Sequence, residues 1–139
     1  MRVCLDTNVF IAIKNKENDS QHCERILDAI EDKEIEGVIS TITIAETLVG
    51  FYWNKEEKEA EHFLVQILQN YHVLPVDIEV SEKAARLRAQ QGIKLPDAVI
   101  MATTIITDAD YLITKDDALK KKIGIKSLTP QEFASKYLK

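Results

Sequence analysis

Cysteine and histidine are scarce in this chain, which has two cysteines and three histidines among 139 residues. Neither type shows the close spacing of a zinc or redox site. Cys4 and Cys23 stand where small core residues are expected, so we predict reduced, buried thiols and no disulfide. The histidines fall on helix faces or at a helix end, without a pattern of partners: His22, His62 and His72. The sequence therefore argues against a zinc centre and against thiol redox chemistry.

The chain also lacks long apolar runs and an excess of positive charge. The longest later run, 98–106, is far shorter than the roughly 20 residues of a membrane span, and Asp6 interrupts the N-terminal run too early for a signal peptide. We therefore expect a cytoplasmic protein without membrane association. The net charge of -5 argues against coating of nucleic acid by overall attraction but leaves room for a local site. Without repeats or low-complexity segments, residues 1–139 are expected to form one domain.

Apolar periodicity predicts short strands that alternate with helices. This alternation is typical of a mostly parallel sheet that helices cover on both faces. The predicted strands span residues 3–5, 37–40, 73–76, 111–114 and 125–128. We therefore expect an α/β fold with this sheet as its central layer.

The helices are predicted from their end signals and apolar stripes. Ser81 is expected to start a helix that Gly92 ends. Pro96 suits the first turn of the next helix, which is apolar nearly all round. Thr129 and Glu132 have the spacing of a capping box that opens a last helix. Three other stripes are expected to face the core: Cys23, Ile26, Leu27 and Ile30; Ile42, Ala45, Val49 and Tyr52; and Ala60, Phe63, Leu64, Ile67, Leu68 and Tyr71.

Four acidic residues stand just beyond a predicted strand or in the first turns of a predicted helix. They are Asp6, Glu46, Asp97 and Asp116. In open α/β sheets, ligands bind at the carboxyl ends of the strands, so four distant segments are expected to bring these side chains together there. Glu46 falls on the stripe of its helix that is expected to be buried, and Asp97 leads the most apolar helix. Both positions fit poorly with a purely structural role.

Each acid nevertheless has a structural interpretation. Asp6 and Asp116 are suited to capping the helices that follow them. Glu46 stands three residues after Thr43, which is the spacing of a capping box. Asp97 would be favoured near a helix N-terminus by the helix dipole. Taken one at a time, these residues leave structural and functional interpretations open.

A shared site for the four acids would need a cation. Burial and mutual repulsion both disfavour ionised carboxylates, and a divalent ion removes that cost. Because the candidate ligands are all carboxylates, the site would be hard and rich in oxygen. Such a site favours Mg²⁺ or Mn²⁺ over zinc.

Four segments of the chain resemble the acidic motifs of PIN-domain ribonucleases, especially toxins of the VapC type. In order they are VCLDTNVFI, VISTITIAETL, KLPDAVIMAT and YLITKDD, and the match spans essentially the whole chain. The resemblance implies a PIN-like three-layer α/β/α sandwich with a mostly parallel central sheet. It also implies metal-dependent hydrolysis of RNA phosphodiester bonds, in which one or two ions activate a water molecule.

The resemblance also assigns roles to residues. By similarity, the catalytic metal ligands are Asp6, Glu46, Asp97 and Asp116. Thr7, Asn8 and Thr114 match positions that help to orient the acids or the substrate in the family.

The fourth motif departs from the simplest family pattern. Family members often carry a single Asp after Asn or Arg, whereas Lys115 here precedes two aspartates. Alignment from the strand end favours Asp116 over Asp117 as the residue that faces the site. Lys115 either contacts a substrate phosphate or is simply solvated.

The resemblance implies partners as well as chemistry. Toxins of the VapC type are commonly dimers, held inactive by an antitoxin that inserts a segment into the active-site groove. An acidic groove suits a basic segment. We therefore expect an RNA substrate, a cognate antitoxin and a homodimer. A stand-alone PIN nuclease for RNA processing would carry the same motifs.

Other hypotheses fit the residues less well. Haloacid-dehalogenase-like phosphatases need a second acid two residues after the first, where this chain has Asn8. A receiver domain needs an acidic pair after the first strand and an Asp after a middle strand, and only Asp6 is present. A non-catalytic PIN-like module should have lost acids, but all four are retained. A nuclease that cuts DNA or flap substrates remains the second hypothesis.

Overall fold

The computed structural model describes residues 1–122 and 124–139. Within these residues, five strands alternate with eight helices. The strands are β1 (Arg2–Leu5), β2 (Glu36–Ser40), β3 (Tyr71–Leu74), β4 (Tyr111–Ile113) and β5 (Ser127–Leu128). The helices are α1 (Thr7–Lys14), α2 (Ser20–Glu31), α3 (Thr41–Trp53), α4 (Glu57–Asn70), α5 (Ile78–Gln91), α6 (Leu95–Ile106), α7 (Asp117–Lys120) and α8 (Pro130–Tyr137).

The five strands form one parallel sheet in the order β3-β2-β1-β4-β5. The central strand β1 pairs with β2 on one side, where Val3 lies opposite Gly37. On its other side β1 pairs with β4, and Leu5 lies opposite Ile113. Strands β2 and β3 therefore lie on one side of β1, and β4 and β5, which come later in the chain, lie on the other side.

The two faces of the sheet carry separate hydrophobic cores, because successive side chains of a strand point to opposite faces. Val3 and Leu5 pack into a core with residues of α1, α2, α4 and α8. Cys4 lies between them in sequence and packs on the other face with α5, α6 and α7. The expected three-layer α/β/α sandwich with a parallel central sheet is thus confirmed.

Several helix ends follow the predicted signals. Gly92 ends α5 in the left-handed conformation, with φ of 65°. Pro96 lies in the first turn of α6, whose residues from Ala98 to Thr104 are all buried. Thr129 and Glu132 form the predicted capping box, since each side chain accepts a hydrogen bond from the other's backbone N–H. The start of α5 differs, since the helix begins at Ile78, three residues before the predicted Ser81. Asp77 caps it by accepting from the Val80 N–H at 3.0 Å.

The third strand begins and ends two residues earlier than predicted. It stops at Leu74 because Pro75 has no N–H to offer the ladder. Tyr71 starts the strand opposite Gly37 and does not extend the apolar stripe of α4. A Cβ at Gly37 would lie 2.7 Å from Ile30 Cδ1 and 2.9 Å from the Tyr71 ring, so any larger residue would have to displace these two side chains. Of the eight ends of the other strands, four agree with the prediction and four differ from it by one or two residues.

Helix α3 turns the opposite face to the core from the one predicted. Val49 and Tyr52 are 42% and 48% exposed, although their stripe was expected to be buried. The buried residues of α3 are instead Thr43 and Thr47. Thr47 satisfies its hydroxyl by donating to the Thr43 carbonyl at 2.7 Å, which allows a threonine face to be buried. On α4, Leu68 is likewise 74% exposed, against prediction.

The two cysteines are reduced and buried, as predicted. Cys4 and Cys23 are free and buried, and burial raises the pKa of each thiol to about 12. Such thiols are poor nucleophiles at neutral pH. Over residues 1–122 and 124–139, none of the helices is both long enough and apolar enough to cross a membrane.

Candidate active site

The candidate site lies at the topological switch point of the sheet, between β1 and β4. Strands β1 and β4 are neighbours, and helices leave their carboxyl ends toward different parts of the fold. This arrangement opens a crevice in parallel sheets, and ligands bind there. Asp6 follows β1 and Thr114 follows β4, and the Asp6 N–H donates to the Ile113 carbonyl at 3.0 Å. The first and fourth acidic motifs are thereby held side by side.

Asp6 is the buried centre of this site, with 6% exposure. One carboxylate oxygen, Oδ1, accepts from the Thr7 N–H at 2.7 Å and caps α1. The other, Oδ2, accepts from the Thr114 hydroxyl at 2.7 Å and from Asn8 Nδ2 at 3.2 Å. The capping interpretation of Asp6 is therefore correct, and it coexists with a place in the acidic cluster.

Glu46 reaches the cluster from α3. Its Oε1 accepts from the Thr7 hydroxyl at 2.7 Å, and the Thr43 hydroxyl lies within hydrogen-bond distance of the same Thr7 oxygen, at 3.2 Å. Ser40 caps α3 by accepting from the Ile42 N–H, so the capping box suggested by Thr43 and Glu46 does not form. Glu46 is exposed, and the expectation that it is buried was wrong because α3 is rotated as described above.

Asp97 and Asp116 both line a cavity of about 360 Å³. Asp97 stands in the first turn of α6. Asp116 caps the short helix α7 by accepting from the Ala118 N–H at 2.9 Å, and its own N–H donates to Thr114 Oγ1 at 3.0 Å. Asp117 is exposed in the first turn of α7 and does not line this cavity.

The pKa values of Asp6 and Asp97 reflect both burial and the nearby negative charges. Burial raises the pKa of Asp6 to about 6, and the negative charges of Asp97 and Glu46 add to this rise, against hydrogen bonds from Thr114 and Thr7 that lower it. The pKa of Asp97 is also raised, first by burial and then by Asp116 and Glu46, while Lys94 lowers it. The four predicted acids therefore act on one another although they come from four separate segments.

The loop after β4 is tied to the start of α1. Asn8 Nδ2 donates to Thr114 Oγ1 at 3.3 Å, and the Lys115 N–H donates to Asn8 Oδ1 at 3.2 Å. The Lys115 ammonium, however, turns away from the four acids and pairs with Glu17 and Asp19. Asn8 and Thr114 thus lie at the cluster, whereas the Lys115 side chain lies beside it.

Sequence reasoning missed three residues of this arrangement. Thr43 is fully buried against Thr7, and its spacing of four from Thr47 was the only local sign that a hydroxyl face turns inward. Glu17 and Asp19 hold Lys115 from 98 and 96 positions away, and no local pattern identifies such partners.

The residues present fit a hard divalent cation. Four carboxylates, two of them with raised pKa values, are the ligands that Mg²⁺ or Mn²⁺ prefers, and a cation would relieve their repulsion. In the described part of the chain, no three His, Cys, Asp or Glu side chains already stand as ligands of one ion. Binding of a cation would therefore require these carboxylates to move toward one another.

A comparison with protein families identifies this set of motifs. The model of the PIN domain matches residues 3–124. This chain belongs to the PIN domain family. Membership supports a nuclease function and the use of divalent metal ions in general terms. The matched region contains all four acids discussed above.

Solved structures share the PIN fold over nearly the whole chain. A chain of a toxin-antitoxin complex from Klebsiella pneumoniae is 25% identical, with a TM-score of 0.72, over 92% of this chain and 97% of that one. FitAcB from Neisseria gonorrhoeae is 24% identical, with a TM-score of 0.74, over 93% and 98%. VapBC2 from Rickettsia felis, bound to a DNA fragment from its promoter, is 22% identical, with a TM-score of 0.73, over 93% and 98%.

A shorter relative is more similar in sequence. An uncharacterized protein of Archaeoglobus fulgidus is 46% identical over 63 residues, which make up 45% of this PIN domain chain and 98% of that protein.

Proposed function

We propose that this PIN domain chain is a metal-dependent endoribonuclease and the toxin of a toxin-antitoxin pair. The support for the proposal is electrostatic and structural: the charges of Asp97 and Glu46 act on Asp6, and those of Asp116 and Glu46 act on Asp97, beside the ends of β1 and β4. A buried acid such as Asp6 with further negative charges close by is unfavourable for the fold alone, and such perturbed acids cluster at functional sites. The toxin assignment draws support from the toxin-antitoxin complexes that share the fold.

The proposed metal ligands are these four acids. A bound Mg²⁺ or Mn²⁺ would lower the pKa of an attacking water molecule and stabilise charge on the leaving oxygen. The chain contributes position: Thr114 and Asn8 hold Asp6, and Thr7 holds Glu46. Asp116 is proposed in preference to Asp117 because it lines the same cavity as Asp97.

Cleavage assays test the proposed chemistry. The purified chain is incubated with RNA, single-stranded DNA and flap substrates in Mg²⁺, in Mn²⁺ and in EDTA. We expect cleavage of RNA with either metal and none in EDTA. Cleavage of DNA or flaps alone would replace the ribonuclease by the second hypothesis. If every substrate stayed intact in every condition, the proposed catalysis would be rejected in favour of a non-catalytic PIN module.

An apolar groove supports the proposed antitoxin. The groove measures about 530 Å³, and helices α1 to α4 contribute most of its lining, including Phe10, Leu27, Phe51 and Phe63. The Tyr71 hydroxyl, at the same groove, is buried without a hydrogen-bond partner in the described part of the chain. An amphipathic helix could fill such a groove and offer Tyr71 an acceptor.

The antitoxin proposal is tested by co-expression with the short neighbouring open reading frame, if the gene has one. We expect its product to co-purify with the chain, and Phe51→Arg to abolish the complex by placing a charge on the groove wall. Val65→Asp is the matched control, because Val65 lies on α4 but does not line the groove. Equal recovery of the complex with Phe51→Arg would contradict the assignment of this groove.

The exposed stripe of α3 supports the proposed homodimer. Ala45, Val49 and Tyr52 share one face of the helix, and the adjacent Trp53 is 83% exposed. Apolar surface of this kind commonly marks an interface. We expect light scattering to give the mass of a dimer, Val49→Asp to give a monomer, and Val65→Asp, which is similarly exposed, to leave the dimer intact. A monomeric parent chain would reject the proposal.

A further inference from the structure

We propose that Lys115 is a positioning residue, whose ion pairs with Glu17 and Asp19 hold the loop that presents Asp116 to the metal site. The inference rests on the proposed function, because it concerns the metal affinity of the same cluster. It assigns Lys115 a role in shaping the site and not in contacting the RNA.

The Lys115 side chain is enclosed by acidic partners. It is 22% exposed, and its ammonium pairs with Glu17 and lies 3.0 Å from Asp19 Oδ1. Both acids lie in the connection between α1 and α2. The ion pairs therefore join the loop after β4 to the segment that follows α1.

A second contact ties the same residue to the start of α1. The Lys115 N–H donates to Asn8 Oδ1 at 3.2 Å. Asn8 in turn donates through Nδ2 to Asp6 Oδ2 and to Thr114 Oγ1. The backbone and the side chain of Lys115 are thus fixed to two different parts of the α1 region.

The neighbours of Lys115 explain why its position matters to the site. Thr114, one residue before, donates to the buried carboxylate of Asp6 at 2.7 Å. Asp116, one residue after, lines the cavity with Asp97. Residues 114–116 belong to no helix or strand, and α7 has only four residues. A backbone hydrogen bond from the Thr114 N–H to the Leu128 carbonyl, at 3.0 Å, holds the first residue of this loop. The side-chain contacts of Lys115 add to it and bear on the residues that follow.

The sign of the effect separates positioning from simple electrostatics. Removal of a positive charge near four carboxylates should strengthen cation binding if only the field mattered. Loss of the ion pairs should weaken cation binding if they hold the loop, because ligands that are not fixed bind metal less well. The two accounts predict opposite changes for Lys115→Met.

The test measures Mn²⁺ affinity of the full chain by electron paramagnetic resonance. We expect Lys115→Met to raise the dissociation constant about tenfold and Lys115→Arg, which keeps the charge, to restore it to within about threefold. Lys14→Met is the matched control, since it removes a different ion pair, that of Lys14 on α1 with Glu56, without touching the loop after β4. The control should bind Mn²⁺ like the parent chain. If Lys115→Met does not fold, Lys115→Gln replaces it.

Two results would overturn the inference. A folded Lys115→Met variant that binds Mn²⁺ as tightly as the parent or more tightly would show that no positioning occurs. A raised KM for RNA with unchanged Mn²⁺ affinity would assign Lys115 to substrate contact. Failure of the proposed function gives a different result, because the parent chain itself would then bind no Mn²⁺. In that case the proposed role of Lys115 is rejected as well.

Discussion

The Thr114 hydroxyl donates a 2.7 Å hydrogen bond to Oδ2 of Asp6, across 108 positions of sequence. The two residues follow neighbouring parallel strands, so the sheet itself brings them together. Thr114 Oγ1 also accepts hydrogen bonds from Asn8 Nδ2 and from the Asp116 N–H. The Thr114 hydroxyl therefore connects Asp6, Asn8 and Asp116.

Thr114→Val tests that connection. The variant keeps the shape of the side chain but leaves the Asp6 carboxylate without its donor and the Asp116 N–H without its acceptor. We expect a loss of about 1–3 kcal/mol in the free energy of unfolding and roughly tenfold weaker Mn²⁺ binding. Urea unfolding and Mn²⁺ titration measure the two effects. Thr103→Val, which removes only a hydroxyl bonded within α6, should not change Mn²⁺ binding; an equal loss in both variants would count against the connection.

The raised pKa of Asp6 predicts an unusual dependence of stability on pH without metal. The folded state holds the Asp6 proton more tightly than the unfolded state, with a pKa of about 6 against 3.8. Folding stability should therefore be lowest above pH 6 and rise as the pH falls toward 4, by up to roughly 3 kcal/mol from this group. The raised pKa of Asp97 acts in the same direction.

Chemical unfolding in EDTA between pH 4 and 8 measures this dependence. Asp6→Asn should flatten the curve and should unfold at higher denaturant concentration than the parent near pH 7.5, because it removes a buried charge and its repulsion with Asp97 and Glu46. The difference should shrink toward pH 4. Parallel curves for the parent and Asp6→Asn would mean that Asp6 is not strained by its neighbours.

Neutralising the individual acids should abolish cleavage and spare the fold. Asp6→Asn, Glu46→Gln and Asp97→Asn each remove a charge but little volume, and each should lower RNA cleavage by roughly 100-fold or more, since even outer partners of a metal are worth 10–100-fold. Glu82→Gln, on the exposed face of α5, is the control and should cleave normally. Full activity in any two of the three would reject the assignment.

The two aspartates after β4 should differ in importance. Asp116 lines the cavity that Asp97 shares, whereas Asp117 is exposed outside it. We expect Asp116→Asn to reduce kcat much more than Asp117→Asn does, while both proteins keep their circular dichroism spectra. The reverse order would mean that the loop turns the other aspartate toward the metal.

Local patterns were sufficient to predict the strands, most of the helix ends considered, and the placement of the acids at strand ends or in the first turns of helices. A strand end, a cap and a proline in a first turn each depend on a few adjacent residues, as Gly92, Pro96 and Thr129 show. Once these elements form a parallel sheet, the carboxyl ends of its strands share one edge. The meeting of Asp6 with Thr114 and Asp116 follows from that topology.

Other features depend on contacts that no local pattern records. Periodicity shows which residues of α3 share a face, but not which face meets the core. The contacts on the side of α3 that meets the core include those of Thr43 and Glu46 with the Thr7 hydroxyl of another helix. The partners of Lys115 are similarly remote, which is why a phosphate contact and a solvated lysine were the only hypotheses before the fold was known.

Crystals grown with MnCl₂ test the central claim most directly, because Mn²⁺ scatters anomalously. We expect an anomalous peak bounded by the carboxylates of Asp6, Glu46 and Asp97, at oxygen–metal distances of about 2.0–2.3 Å. A peak elsewhere, or none in crystals with these three side chains well ordered and turned apart, would contradict the proposal that the acids meet in order to hold a cation.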